Sequence, residues 1–321
     1  MPFNLILNNS NVLSNNTYFE YRFKGGGFRV NEGAEICVSQ IVYPFSWFNV
    51  NEAIYANNVF SYTWNGVLNT VKITSGHYSV KDINRFLQLY MIEKGHYLVN
   101  ASGKNVFYIE IKTNLTYYAN EITVYPIPTS LPSGYTNPAS FPFSSTSGIT
   151  PIITIPDYNS YFGFGSLIGF LPGSYFTDGP STVSKTLLSN STPNITPITS
   201  IVIRCNLCKN DCTSVADVLD TFSVGNTSFG TNITYSPPYE KWISMNHGYH
   251  HTLVLYLQDQ NFNRIEANDS NIMISLLLKN PQIPLYVTPV ATRVEESAVS
   301  ESDTLKSQAV VPVFKPIKFK I

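Results

Sequence analysis

The segment CNLCKNDC carries three thiols, Cys205, Cys208 and Cys212, and a Cys-x2-Cys pair is a common half of a zinc site. His247, His250 and His251, in HGYHH, lie downstream and supply the other common zinc ligand. Against a metal, Cys205 and Leu207 end a strand whose alternation already explains them, and no second Cys-x2-Cys pair completes a four-ligand set. Free thiols of a reducing compartment are the better reading. No metal and no cofactor are expected, and Cys205, Cys208 and Cys212 stand as the zinc candidates to be checked. HGYHH also raises a general base. Yet no Ser or Cys sits in a nucleophile elbow, no His-Glu-x-x-His is present, and no carboxylate spacing marks a glycosidase. NDSN at 268–271 is too short for a calcium loop and lacks the later Glu. KGGGFRVNEG lacks the Lys-Ser/Thr ending of a phosphate loop. The chain is not expected to be an enzyme.

The elements that would hold these residues are mostly strands. In 321 residues only 13% are charged while 14% are aromatic. Surfaces normally carry the charge, so much of this surface is expected to be covered by something else. Net charge is −1, which argues against a nucleic-acid binder. The local exception is FKPIKFKI, where Lys315, Lys318 and Lys320 could touch an acidic surface or a genome. MPFNLILNNSN has no basic start or long apolar run, and no stretch nears the roughly 18 apolar residues of a membrane span. A soluble chain is expected.

YFEYRF alternates as a strand, and AEICVSQIVYPFSWFNV is a long apolar strand broken at Pro44. Val59–Trp64 and Val67–Ile73 form a hairpin about Asn65-Gly66. One amphipathic helix follows: Ser79 caps it, Asp82 sits in its first turn, Val80, Ile83, Phe86, Leu87 and Tyr90 make its apolar stripe, and Gly95 ends it. Residues 106–112 and 121–125 are further strands. Pro, Ser and Gly dominate 126–150, and Ser160–Phe176 reads as packed loop with one helical turn. The last third carries clear strands in ITSIVIRCNL, TSFGTNITYS, HTLVLYLQDQ and NIMISLLLK. Around eight strands with long excursions predict a sandwich of two sheets.

The run EICVSQIVYPFSWFNVNEAIYANNVFSYTWNG, then VKITSGHYSVKDINRFLQLYM, resembles the opening of the penton (minor capsid) proteins of virophages and Polinton-like viruses. The likeness rests on a Pro-x-Ser-x-x-Asn turn (Pro44 to Asn49), an Asn-Asn-x-Phe strand (Asn57 to Phe60) and an Ile-x-x-Gly-x-Tyr turn (Ile73, Gly76, Tyr78) leading into the helix. SIVIRCNL, DVLDTFSV, FGTNITYSPP and LYLQDQNFNRI, with its Asp259-Gln260 turn, extend it to roughly residues 18–280, the middle matching least. The resemblance implies an all-β protein: a single jelly-roll sandwich with one short amphipathic helix, which would cap an end of it, and a loop-rich insertion. The expected division is an N-terminal arm over 1–17, jelly roll over 18–97 and 198–288, a projecting insertion over 98–197 and a C-terminal tail over 289–321. It further implies homopentamers at the vertices of an icosahedral virion, terminal arms on neighbouring major capsid proteins, and synthesis in the host cytoplasm. Besides a metal-dependent jelly-roll oxygenase, for whose His/Asp/Glu triad HGYHH supplies only histidines, two alternatives stay open. One is a major-capsid-like trimer. The other is a jelly-roll binding module that presents the insertion near 126–197 to a glycan or receptor.

Overall fold

A computed structural model describes residues 2–139, 141–144, 148–157 and 162–281. Eight of its strands, taken in chain order, build two facing antiparallel sheets. They are Phe3–Asn8, Tyr18–Arg22, Glu35–Pro44, Ser200–Cys205, Val218–Ser223, Asn232–Tyr235, Thr252–Asp259 and Met273–Lys279. One sheet runs first–eighth–third–sixth, and the other fifth–fourth–seventh–second. Successive strands thus cross between sheets, except that the fourth and fifth pair within one, as in a jelly roll. Val12–Ser14 adds an outer strand beside Tyr18–Arg22.

The strands form because their side chains alternate. In Thr252–Asp259 every second residue is buried, so Leu253, Leu255 and Leu257 face inward. They meet Ile36, Ile41, Tyr43, Phe19, Ile201, Ile203, Ile274 and Leu276 between the sheets. Each such aliphatic side chain stabilises the fold by about 1.5–3 kcal/mol relative to exposure.

The N-terminal arm expected over 1–17 is part of this sandwich instead. Phe3–Asn8 pairs along its whole length with Met273–Lys279, and Leu5 and Leu7 enter the core. The tail over 289–321, with Lys315, Lys318 and Lys320, lies outside the described residues.

Between the third and fourth strands the chain builds a second core. Val59–Trp64 and Val67–Lys72 pair through Asn65 and Gly66, whose φ angles of 48° and 80° suit a two-residue hairpin turn. Ile153–Ile155 and Gly173–Tyr175 complete that sheet. Ile109–Asn114, Ala119–Val124 and Lys185–Leu188 form another.

The helix Val80–Lys94 begins with a reciprocal pair, in which Ser79 Oγ accepts from the Asp82 N–H and Asp82 accepts from the Ser79 N–H. Gly95 caps its end in the left-handed conformation. Its buried face, Val80, Ile83, Leu87 and Met91, packs in the second core with Ile109, Ile111, Ile122 and Val124. The helix therefore does not cap the jelly roll, because its apolar stripe is spent on this second set of strands. The same contacts move the start of the inserted part. Val50, Phe60, Tyr62 and Ile73 pack with residues beyond 98, so it begins just after Trp47 and not at 98. Nor is it only projecting loop, since Ile127, Phe141, Ile155, Phe164 and Phe170 are buried in it. Helix Phe164–Ile168 supplies the helical turn expected there.

Candidate functional site

The thiols and histidines do not converge. Cys205 and Cys208 are buried in the jelly-roll core, and the Cys208 N–H donates to the Cys205 carbonyl at 3.0 Å. A hydrogen bond from the Cys208 thiol to Cys205, together with burial, holds that thiol well above the usual range, so it stays protonated. Cys212 is exposed on the following loop. His250 Nε2 donates to the Asn246 carbonyl at 2.8 Å, and His251 Nδ1 to the Gly26 carbonyl at 2.6 Å. Among the described residues no three His, Cys, Asp or Glu side chains are grouped so as to hold a metal ion.

The residues that carry the family resemblance do converge, at the junction of the two cores. Asn49 is 1% exposed. Its Nδ2 donates to the carbonyls of Tyr78 and Ile195, each at 2.8 Å, and its Oδ1 accepts from the Tyr78 N–H at 2.8 Å. Asn57 Nδ2 donates to the Asn49 carbonyl at 2.8 Å, and Asn58 Nδ2 to that of Ile73 at 3.1 Å. Val50 and Gly76 exchange backbone hydrogen bonds of 3.0 and 2.9 Å. A Cβ on Gly76 would stand 2.8 Å from the Tyr78 ring, so the close approach needs glycine. Ser46 holds the other side: its carbonyl accepts from Asn268 Nδ2 and its Oγ from the Asp269 N–H. Every buried amide here satisfies backbone groups that would otherwise be orphaned.

Beside this knot, His77 stacks on Phe229 at 4.6 Å and meets the edge of Phe45 at 5.2 Å, which joins the helix entry to the jelly roll. Burial lowers the His77 pKa.

No protein-family model matches the chain, and no curated protein matches it. Two solved virophage structures do. The mavirus penton protein aligns at 10% identity with a TM-score of 0.37, covering 86% of this chain and 97% of its own. A chain of the Sputnik virophage, from its 3.5 Å cryo-EM structure, aligns at 13% identity with a TM-score of 0.35, covering 87% and 97%. The chain is similar to a virophage penton protein.

Two further clusters were not foreseen from the sequence. Asp220, 7% exposed, lies on the fifth strand at the open side of the sandwich. Its carboxylate accepts from Lys241 Nζ at 2.8 Å and from the Tyr235 hydroxyl at 2.8 Å, so it ties the edge of one sheet to the edge of the other. Phe222 stacks on the Tyr235 ring at 5.1 Å beside it. The only sequence signal was an Asp in the same alternation phase as Val218 and Phe222.

The second cluster is His96, which shares a 2.8 Å hydrogen bond with the Tyr62 hydroxyl and stacks on Trp64 at 4.6 Å. Burial, helped by Lys94, lowers its pKa from 6.5 to about 4. Its neutral form is favoured in the folded protein, so the stability it contributes is complete above the unfolded pKa and is lost as pH falls from 6.5 toward 4. Between pH 7 and 5 the loss is expected to be about 1–2 kcal/mol. Urea midpoints of the wild type and His96→Gln at both pH values check this. The variant should lose distinctly less on acidification, and equal losses would show that His96 does not carry the effect.

Proposed function

We propose that this chain is a structural virion protein, a penton that assembles as a homopentamer and closes the five-fold vertices of an icosahedral capsid. The supporting observation is the junction knot. Asn49, Asn57, Asn58, Gly76 and Tyr78, on which the sequence resemblance rests, are the residues that join the second core to the jelly roll.

The surface agrees with assembly. Leu115 and Tyr117 on one hairpin turn, and Val67 and Leu68 at the start of the strand that follows the Asn65-Gly66 turn, are large apolar side chains left open to solvent in a chain with few charges. Patches of that kind mark contact surfaces. In a ring the contacts are heterologous and close on themselves. Phe3–Asn8 is committed to the jelly roll, and contact of terminal residues with neighbouring major capsid proteins is part of this proposal. Production in the host cytoplasm belongs to the same proposal. Among the described residues no helix is long and apolar enough to cross a membrane.

A major-capsid-like trimer with two jelly rolls is not favoured. In the second core the strands Val59–Trp64 and Val67–Lys72 pair as a hairpin within one sheet, whereas the first two strands of a jelly roll lie in opposite sheets.

Light scattering on a sizing column, over a range of concentration and salt, tests the assembly. The expected species has a mass of about 180 kDa, five times the 35.9 kDa chain. A trimer near 108 kDa would overturn the pentamer, by the same multiplication. A monomer that persists to the highest concentration would withdraw self-assembly and leave the binding-module reading in its place.

A further inference from the structure

We propose that a cleft in the second core binds a neutral oligosaccharide, a site that stands independently of the vertex reading. The cleft has a volume of about 710 Å³ and is lined by Tyr118, Asp157, Ser166, Leu171, Thr192 and Asn194, among others. That volume falls within the range of about 300–1,000 Å³ typical of small-molecule sites.

Its walls come from three distant segments that are locked together. The Asn194 N–H donates to the Ser166 carbonyl and the Ser191 N–H to the Gly169 carbonyl, each at 2.9 Å. The Leu171 N–H donates to Asn190 Oδ1 at 2.9 Å. Asn120 Nδ2, two residues beyond Tyr118, donates to the Ile168 carbonyl at 3.1 Å. The cleft is therefore preformed, and little ordering is needed when a ligand enters.

Tyr118 is the residue that the fold alone does not explain. Its φ is 50°, in the left-handed region where a bulky side chain is unfavourable and Asn or Gly is comfortable. Yet it is 77% exposed, so no core packing offsets that conformation. An outlier of this kind, with its ring on the rim of a built cleft, points to a ligand-contacting role.

The lining chooses the ligand class. Among the described residues no Lys, Arg or His lines the cleft, and Asp157 contributes a carboxylate, so phosphates, nucleic acids and sialylated sugars are disfavoured. A wholly apolar ligand would leave the hydroxyls of Ser166 and Thr192 and the amide of Asn194 without partners. A neutral sugar satisfies both kinds of group. Its apolar ring face can lie on Tyr118 and Leu171, while vicinal hydroxyls bond to Asp157 and Asn194.

The test presents the full-length protein to an array of unsubstituted hexose and N-acetylhexosamine oligosaccharides beside their sialylated counterparts, then titrates the best hit by calorimetry. Neutral members should bind and sialylated ones should not. Tyr118→Asn keeps the turn conformation but removes the ring, and it is expected to weaken binding about tenfold, as is Asp157→Asn. Unchanged thermal midpoints of both variants would show that they fold. Absence of binding across the neutral set, a preference for the acidic set, or full binding by Tyr118→Asn would each overturn the site.

Discussion

Replacing Asn49 with Ala is expected to lower the unfolding free energy by about 3–5 kcal/mol, the sum of several buried groups left without partners. The side chain satisfies three backbone groups at once, the Tyr78 N–H, the Tyr78 carbonyl and the Ile195 carbonyl. All three bonds lie half-buried around a side chain that is itself 1% exposed. Asn49→Asp separates the contributions. It keeps the acceptor for the Tyr78 N–H but loses both donors, and it brings a carboxylate against two carbonyls. It should therefore fall as far as Ala or further. Urea unfolding of wild type, Asn49→Ala and Asn49→Asp gives the comparison. A loss below about 1 kcal/mol in the Ala variant, the worth of one ordinary hydrogen bond, would mean that the knot does not hold the cores together.

The second large effect is expected at Asp220. Asp220→Ala should cost about 2–4 kcal/mol, somewhat below the loss for a fully buried ion pair because Lys241 keeps partial access to water. The hydrogen bond to the carboxylate raises the pKa of Lys241 against the opposing effect of burial, whereas for Tyr235 burial raises the pKa most and the hydrogen bond to Asp220 adds to it. For Lys241 the sign is that of a base with a raised pKa: the contribution is complete below the ordinary lysine value of 10.5 and fades only at more alkaline pH. Neutral-pH stability should thus feel the whole pair. A double-mutant cycle of Asp220→Ala with Lys241→Met would isolate the coupling. A coupling near zero would assign the loss to packing of Phe222 and Tyr235 instead.

What could be read in the sequence was local. Ser79, Asp82 and Gly95 announce the helix within its own turns, and Asn65-Gly66 announces the hairpin between its own strands. The sandwich of about eight strands followed from alternation in segments such as Thr252–Asp259. What could not be read depended on partners far along the chain. The stripe Val80, Ile83, Leu87 says that the helix is buried, but nothing in it says against which strands. Phe3–Asn8 owes its strand to Met273–Lys279, at the other end of the jelly roll, and so it passed for an arm. Asn49 looks like any turn asparagine until Tyr78 and Ile195 arrive beside it. Tyr118 carried a faint signal, an aromatic in a hairpin turn where Asn or Gly is usual, and it lies outside the 126–197 window expected to hold a binding surface.

The amide of Asn49 reaches both the start and the end of the inserted part, since it bonds to Ile195 just before the chain returns to the jelly roll. From the standpoint of the two large sheets, the excursion between the third and fourth strands is then no longer than a tight connection. Its closure cost grows only slowly with the number of residues it encloses, by about 0.6 kcal/mol for each doubling. Residues 50–195 can accordingly lengthen, shorten or diverge without shifting the register of a single strand in the jelly roll. The inserted core behaves as an exchangeable cassette on a fixed mount.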